Sequence, residues 1–295
     1  MNASNKTFVI KHLVVIGTGL IGGSVALALK RAGCVERITG VGRSAQNLEE
    51  AVQLGVIDDF SHDIATAVVD ADMVLLAVPV AACDQVFSTL AKSLSNQAII
   101  TDAGSTKQSV MVSAERHLSD ASRFVPAHPI AGTEHSGAAA AFAELFDDKK
   151  CILTPNENTD IKALATVQSM WEATGARVKI MSADEHDDVL AAVSHLPHLA
   201  AFAIVNAVGK SDHAFRFAAG GFRDFTRIAS SSPEMWRDIA LCNQSAIVDK
   251  IDALQAELSV LRDALTENDG DALLDKFTSA KQARDSWMSK YGDKL

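Results

Sequence analysis

The residues that could carry chemistry in this 295-residue chain are few: Ser105, the histidines His128, His195 and His198, and the cations Arg43 and Arg227. A histidine titrates near neutrality and is the side chain best suited to take a proton from a substrate hydroxyl. His128 precedes Pro129, and Ser105 sits in Gly104-Ser105-Thr106; both follow short apolar runs that read as strands. In an open α/β sheet, ligands bind beyond the carboxyl ends of the strands, so both positions qualify. Taken singly, such a serine more often caps the next helix, and a lone loop histidine is usually a surface residue. His195 and His198, with His186 upstream, also raise a metal reading. Pro197 stands between the pair and no acid completes a zinc pattern, so no metal is expected. The formal net charge is −10, so an anionic small substrate would have to be met by local cations. Arg227 or its competitor Arg223 could give a bidentate carboxylate contact.

A second kind of motif lies near the start. The run His12-Leu13-Val14-Val15-Ile16 enters Gly17-Thr18-Gly19-Leu20-Ile21-Gly22, and an apolar helical stretch follows. Strand, G-x-G-x-x-G and helix in that order form a dinucleotide-binding fingerprint: the first glycine permits the turn, the second admits the pyrophosphate, and the third packs helix on strand. The phosphates would rest on the helix N-terminus, against Gly19, Leu20 and Ile21. Where an acid would bond the ribose of NAD, about 20 residues past the motif, the chain has Gly42, then Arg43 and Ser44. A cation and a hydroxyl suit a 2′-phosphate, so NADP is favoured over NAD. Glu36 is acidic but at the wrong end of its strand. Val78 and Pro79, at the end of another expected strand, are further cofactor contacts.

These residues need elements to position them. Strands are expected at 12–17, 37–42, 73–78, 98–101, 123–126, 150–153 and 177–180, with helical patterns between most of them. After about residue 184 the strand signal ends and the rest reads as helix. The fold class expected is α/β: a Rossmann-type doubly wound, mostly parallel sheet in residues 1–183, then an all-helical substrate and dimerisation domain in 184–295. Ser232-Pro233-Glu234 marks a helix start. Beyond it Ile247, Ile251, Leu254, Leu258, Leu261 and Leu265 form a heptad-like stripe, which favours helix pairing across a homodimer. The four cysteines form no C-x-x-C pair, which indicates reduced thiols and a cytoplasmic protein. No basic cluster suggests nucleic acid, and no apolar run approaches the ~18–20 residues of a membrane span.

Four segments together resemble the prephenate/arogenate (cyclohexadienyl) dehydrogenase family of tyrosine biosynthesis, from about residue 12 to the end: Thr101-Asp102-Ala103-Gly104-Ser105-Thr106-Lys107, His128-Pro129-Ile130-Ala131-Gly132-Thr133-Glu134, Ser194-His195-Leu196-Pro197-His198, and Gly221-Phe222-Arg223-Asp224-Phe225-Thr226-Arg227. The resemblance implies oxidative decarboxylation of prephenate or arogenate with hydride transfer to NAD(P). It makes His128 the acceptor of the ring-hydroxyl proton and Ser105 the residue that orients it. It makes Arg227 the partner of a substrate carboxylate, with Thr133, His195, His198, Gly220 and Trp236 in the substrate pocket and Trp236 supplied by a neighbouring subunit. It suggests tyrosine as an inhibitor at His198 and a gating role for Glu134. The last helical pattern, 271–290, leaves no length before Leu295 for an appended sensing domain. Two other readings remain: a β-hydroxyacid-type dehydrogenase, which would need a lysine such as Lys210, and a non-enzymatic NADP-binding sensor.

Overall fold

The structure, a computed structural model, describes residues 8–95, 97–133, 135–210 and 212–292. Its first half alternates strand and helix: β1 (Ile10–Ile16), α1 (Leu20–Ala32), β2 (Val35–Val41), α2 (Ala45–Gln53), β3 (Asp59–Ser61), α3 (Ile64–Ala67), β4 (Met73–Leu76), α4 (Cys83–Leu90), β5 (Ile99–Asp102), α5 (Gln108–His117) and β6 (Phe124–Val125). β7 (Ala127–Pro129), β8 (Lys150–Leu153), α6 (Ile161–Ala173) and β9 (Arg177–Ile180) follow. The remainder is helical: α7 (Ala183–Leu190), α8 (Leu196–Val208), α9 (Asp212–Phe215), α10 (Gly220–Thr226), α11 (Pro233–Cys242), α12 (Gln244–Thr266) and α13 (Gly270–Tyr291).

Six strands form one parallel sheet in the order β3-β2-β1-β4-β5-β6. Because side chains alternate across a strand, β1 feeds two cores at once. Leu13 and Val15 join Val25 and Leu29 of α1 and Trp171 of α6 on one face; Val14 and Ile16 join Phe87 of α4 and Val110 of α5 on the other. Strand order reverses between β1 and β4, and that switch point is where such sheets open a ligand crevice.

All seven expected strands are present, though their ends shift by a few residues. Two others escaped the sequence reading. β3 is a three-residue edge strand with no apolar alternation. β7 corrects the view of His128 as a loop residue: after Pro126 the chain leaves the parallel sheet and pairs antiparallel with β8, setting His128 opposite Ile152. β8 runs parallel to β9, so a second, three-stranded sheet stands beside the first.

A buried ion pair fastens this junction. Asp102 ends β5, and its carboxylate receives the Lys107 ammonium with both side chains excluded from solvent. Asp102 also accepts the backbone N–H groups of Gly104 (2.8 Å) and Ala127 (2.9 Å), while Lys107 Nζ donates to the Ala127 carbonyl at 2.6 Å. β7 is thus held at both polar groups of Ala127.

The described chain divides into two compact units, Met1–Gln244 and Ser245–Leu295. The change at 183/184 is one of secondary structure. Within the first unit, Trp236 and Ile239 of α11 join the core under β4 and β5. One expectation needs correcting: α7, a π-helical turn (Ala191–His195) and α8 make one continuous helix of 26 residues at a mean hydropathy of 1.6, long and apolar enough by that test alone to cross a membrane. It also carries the buried His186, Asp187 and His195, so one side of it lines a polar interior. In the second unit, the Asp269 carboxylate caps α13 through the Ala272 N–H (2.9 Å), and Lys276 pairs with Glu257 of α12 at 3.0 Å.

Replacing Lys107 by Met strands a buried carboxylate, and such a loss costs about 3–5 kcal/mol. Urea denaturation of Lys107→Met is expected to show a destabilisation of that size; a change below about 1 kcal/mol would show that the pair does not hold the junction.

Candidate active site

The glycine cradle has the shape a dinucleotide requires. Gly17 has φ +100°, and a Cβ there would lie 2.3 Å from the Ala77 carbonyl oxygen. A Cβ at Gly22 would lie 2.1 Å from the Gly17 oxygen, so helix and turn meet backbone to backbone. At Gly19 a Cβ would meet nothing within 4 Å: the middle glycine faces open space at the start of α1. α1 has no side-chain cap and no acid in its first turn, which leaves its N–H groups for an anion. Leu20 and Ile21 pack against the core below, and Val78 lies 3.3 Å from a Cβ built on Gly17, with Pro79 exposed beside it. These residues fit a nicotinamide dinucleotide.

At the adenosine end, Ser44 Oγ accepts the Asn47 N–H (3.2 Å) and caps α2. Arg43 is exposed and makes no hydrogen bond or ion pair among the described residues. His62, which the sequence reading passed over, donates from Nδ1 to the Gly42 carbonyl at 3.0 Å and so stands next to Arg43.

The reacting end is built around His128. Its Nδ1 lies 2.8 Å from Nε2 of His186, and His186 Nδ1 lies 2.7 Å from Asp187 Oδ1. Asp187 also caps α5 from outside that helix: Oδ1 accepts the Lys107 N–H (2.8 Å) and Oδ2 the Gln108 N–H (3.0 Å). His186 and Asp187 are fully or almost fully buried. Asn243 closes the cluster, donating to the Asp187 carbonyl (2.8 Å) and standing 3.2 Å from His195 Nδ1. Burial holds the His128 imidazole well below its usual range, helped by His186, Lys107 and His195 around it. Burial likewise pushes His195 down to about 4. His128 and His195 are therefore neutral imidazoles at ordinary pH. Ser105 is half-buried, and its hydroxyl makes no hydrogen bond among the described residues; the side chain holding His128 is His186.

His186 and Asp187 were missed as a pair because they sit in the acidic opening of α7, where Asp184, Glu185 and Asp187 read as ordinary helix-start charges. His186 was noticed only as a possible metal ligand. Among the described residues no group of three or more His, Cys, Asp or Glu side chains is arranged to hold a metal ion.

The expected substrate residues lie on the helices that follow. His198 stacks on Trp236, ring centroids 3.7 Å apart and planes at 22°, and donates from Nδ1 to the Ser194 carbonyl at 2.8 Å. Burial lowers its pKa; the Ser194 carbonyl works against this, and the Arg227 charge adds to it. Trp236 meets His198 within this chain. His195 is buried with its Nε2 unpartnered, as is the Trp236 indole N–H. Arg223 pairs on the surface with Asp224 at 3.0 Å, whereas Arg227 is exposed and unpaired among the described residues. Gly220 opens α10 and is exposed; Thr133 is exposed and accepts the His135 N–H at 3.2 Å. Glu134 lies outside the described residues. Lys210 is exposed past the end of α8.

A sheet of this order, a glycine cradle at its switch point and a neutral histidine at its carboxyl side define a nicotinamide-dependent dehydrogenase with a helical second part. Two family models match: residues 25–180 match the nucleotide-binding domain of prephenate dehydrogenase and residues 182–279 its dimerization domain. The chain belongs to the prephenate dehydrogenase family. It is 42% identical over 282 residues to the cyclohexadienyl dehydrogenase of Zymomonas mobilis, covering 94% of this chain and 96% of that one. It is 41% identical over 278 residues to the prephenate dehydrogenase of Bacillus subtilis, covering 92% and 75%. Among solved structures, Aquifex aeolicus prephenate dehydrogenase in complex with hydroxyphenyl propionate and NAD+ superposes with a TM-score of 0.89 at 35% identity, covering 95% of this chain and 99% of that one.

The neutral His195 predicts acid sensitivity. Its folded pKa is below the ordinary 6.5, so between 6.5 and about 4 the unfolded chain binds a proton that the folded one does not. Stability contributed by this group is full above 6.5 and falls as pH drops, by about 3 kcal/mol at most. Denaturant midpoints at pH 7.5 and pH 5 should show the loss, and His195→Gln should reduce it; identical pH dependence in the two proteins would remove His195 as its source.

Proposed function

We propose that this enzyme oxidatively decarboxylates prephenate, arogenate or both, using NADP in preference to NAD. The observation that carries the reading is His128: a neutral imidazole fixed on β7, at the carboxyl side of the nucleotide-binding sheet, with one ring nitrogen engaged by His186 and the other left for substrate. The bound nicotinamide supplies the hydride acceptor. His128 takes the proton of the C4 hydroxyl as hydride leaves C4, so a carbonyl forms there. The bond to the ring carboxylate then breaks, CO2 departs, and the electron pair enters the ring to give an aromatic phenolate. The proton returns from His128 to that oxygen, so no net proton is released. Aromatisation makes the step essentially irreversible.

Arg227 is the unpaired guanidinium available for a substrate carboxylate, while Arg223 is already engaged. His198, Trp236, His195, Gly220 and Thr133 would surround the side chain, and Ser105 would sit between His128 and the nicotinamide. Tyrosine, as the product of the arogenate reaction, would inhibit at the same place, against His198. Arg43 is the free cation for the 2′-phosphate of NADP. Residues 1–183 would hold the cofactor and 184–295 the substrate and a homodimer contact. The helical part leaves apolar surface uncovered, with Val193 at 68% and Leu265 at 67% exposure, which a second copy would bury. A cytoplasmic location suits a family of biosynthetic enzymes.

Initial rates at 340 nm with prephenate or arogenate, crossed with NAD or NADP, test the reading, and activity in none of the four mixtures would overturn it. His128→Asn is expected to bind cofactor normally and lose about 10²–10⁴-fold in kcat. Arg227→Ala should raise KM tenfold or more with kcat little changed. Arg43→Ala should weaken NADP binding in calorimetry and leave NAD binding alone; equal effects on both would return the cofactor preference to NAD.

A further inference from the structure

The hydrogen bonds behind His128 fix which of its nitrogens is the base. Asp187 accepts two backbone N–H groups, from Lys107 on Oδ1 and from Gln108 on Oδ2, so both of its oxygens serve as acceptors. A carboxylate only accepts, so the 2.7 Å contact from His186 Nδ1 places a proton on that nitrogen. A ring with its single proton on Nδ1 has a bare lone pair on Nε2, and that nitrogen of His186 lies 2.8 Å from His128 Nδ1. That lone pair must accept, which puts the His128 proton on Nδ1 and leaves the lone pair of His128 on Nε2.

We propose that Asp187 and His186 act as positioning residues in a carboxylate–imidazole–imidazole relay that locks His128 in the Nδ1–H tautomer, presenting Nε2 as the proton acceptor. The catalytic contact is made by His128 alone; neither of the other two touches substrate in this scheme. As His128 becomes cationic during the reaction, its Nδ1–H donates more strongly to His186, and the Asp187 carboxylate faces the resulting positive charge through one ring. The relay works in the way a triad carboxylate orients its histidine, with a second imidazole interposed. The same carboxylate ties the base to α5, the helix that follows Ser105, so the tautomer and the position of the nicotinamide-side loop share one anchor. The other titratable groups around His128 are Lys107 and Asp102 from the β5–α5 connection, His195 from the π-helical turn and Cys151 from β8.

This inference deepens the proposed reaction and rests on His128 being its base, but the tautomer is measurable without turnover. In protein labelled with 15N in its imidazoles, two-bond 1H–15N spectra near pH 7.5 report each histidine's tautomer, and His128→Asn identifies the His128 signals. The expected result is a protonated Nδ1 and a bare Nε2 on His128. An Nε2–H tautomer would overturn the relay whatever the enzyme's activity. His186→Gln keeps an acceptor near the position of Nε2, while His186→Leu has none. His186→Leu should lose on the order of a hundredfold in kcat with KM and NADP affinity within about threefold, and should shift the acid limb of the pH–rate profile. His186→Gln should recover to within about tenfold of wild type. Equal losses in both variants, or wild-type kcat in His186→Leu, would sink the proposal. An Nδ1–H tautomer in a protein inactive on both substrates would uphold the relay and refute the reaction.

Discussion

The buried attachment of the 101–108 segment is the constraint on which the rest of the site depends. Lys107 binds the Asp102 carboxylate and the Ala127 carbonyl through its ammonium group, and its backbone N–H is taken by Asp187. One residue therefore fixes the end of β5, the start of β7 and, through Asp187, the helix α7. A cation without solvent access is tolerable only where it is paired and hydrogen-bonded. That requirement forces the two sheets and the first helical segment into one arrangement. His128 sits one residue beyond Ala127, so it inherits this rigidity directly.

The same buried charge shapes the electrostatics. Burial already disfavours protonation of His128, and the Lys107 ammonium adds to the effect. With His195 also held neutral, both of these imidazoles stay in the form that accepts protons. The acidic excess of the chain does not reach this interior except as Asp102 and Asp187, both already engaged. In the proposed reaction, affinity for the anionic substrate and cofactor is left to the exposed cations Arg227 and Arg43, which lie outside it. Base strength and charge recognition are thus assigned to different places, so either can vary without disturbing the other.

Much of this was legible in the sequence because it depends on local pattern. The glycine spacing at 17, 19 and 22 demands close backbone approach, and the structure shows oxygens where side chains would clash at Gly17 and Gly22 and open space at Gly19. Apolar strand runs gave seven of the strands, since buried parallel strands have little else to be. The missing features were those that arise from tertiary placement. β7 is three residues with a polar centre and a proline, a pattern without periodicity; only its pairing with β8 makes it a strand. The His186–Asp187 pair looks like an acidic helix start, and nothing local says that its carboxylate caps a helix from a distant part of the chain. Arg223, the competitor of Arg227, is found paired with its neighbour Asp224.

The π-helical turn at 191–195 sets the phase of the long helix. In a regular α-helix His186 and His195 would be about two and a half turns apart and would point to opposite sides. The wide turn absorbs one residue and takes back about 100° of rotation. Asn243 can therefore reach both the Asp187 carbonyl and the His195 ring from one side. The number of residues between these histidines is consequently a structural quantity in its own right. Wound as a regular α-helix, the same residues would give a well-formed helix of ordinary composition whose second half faces about 100° away.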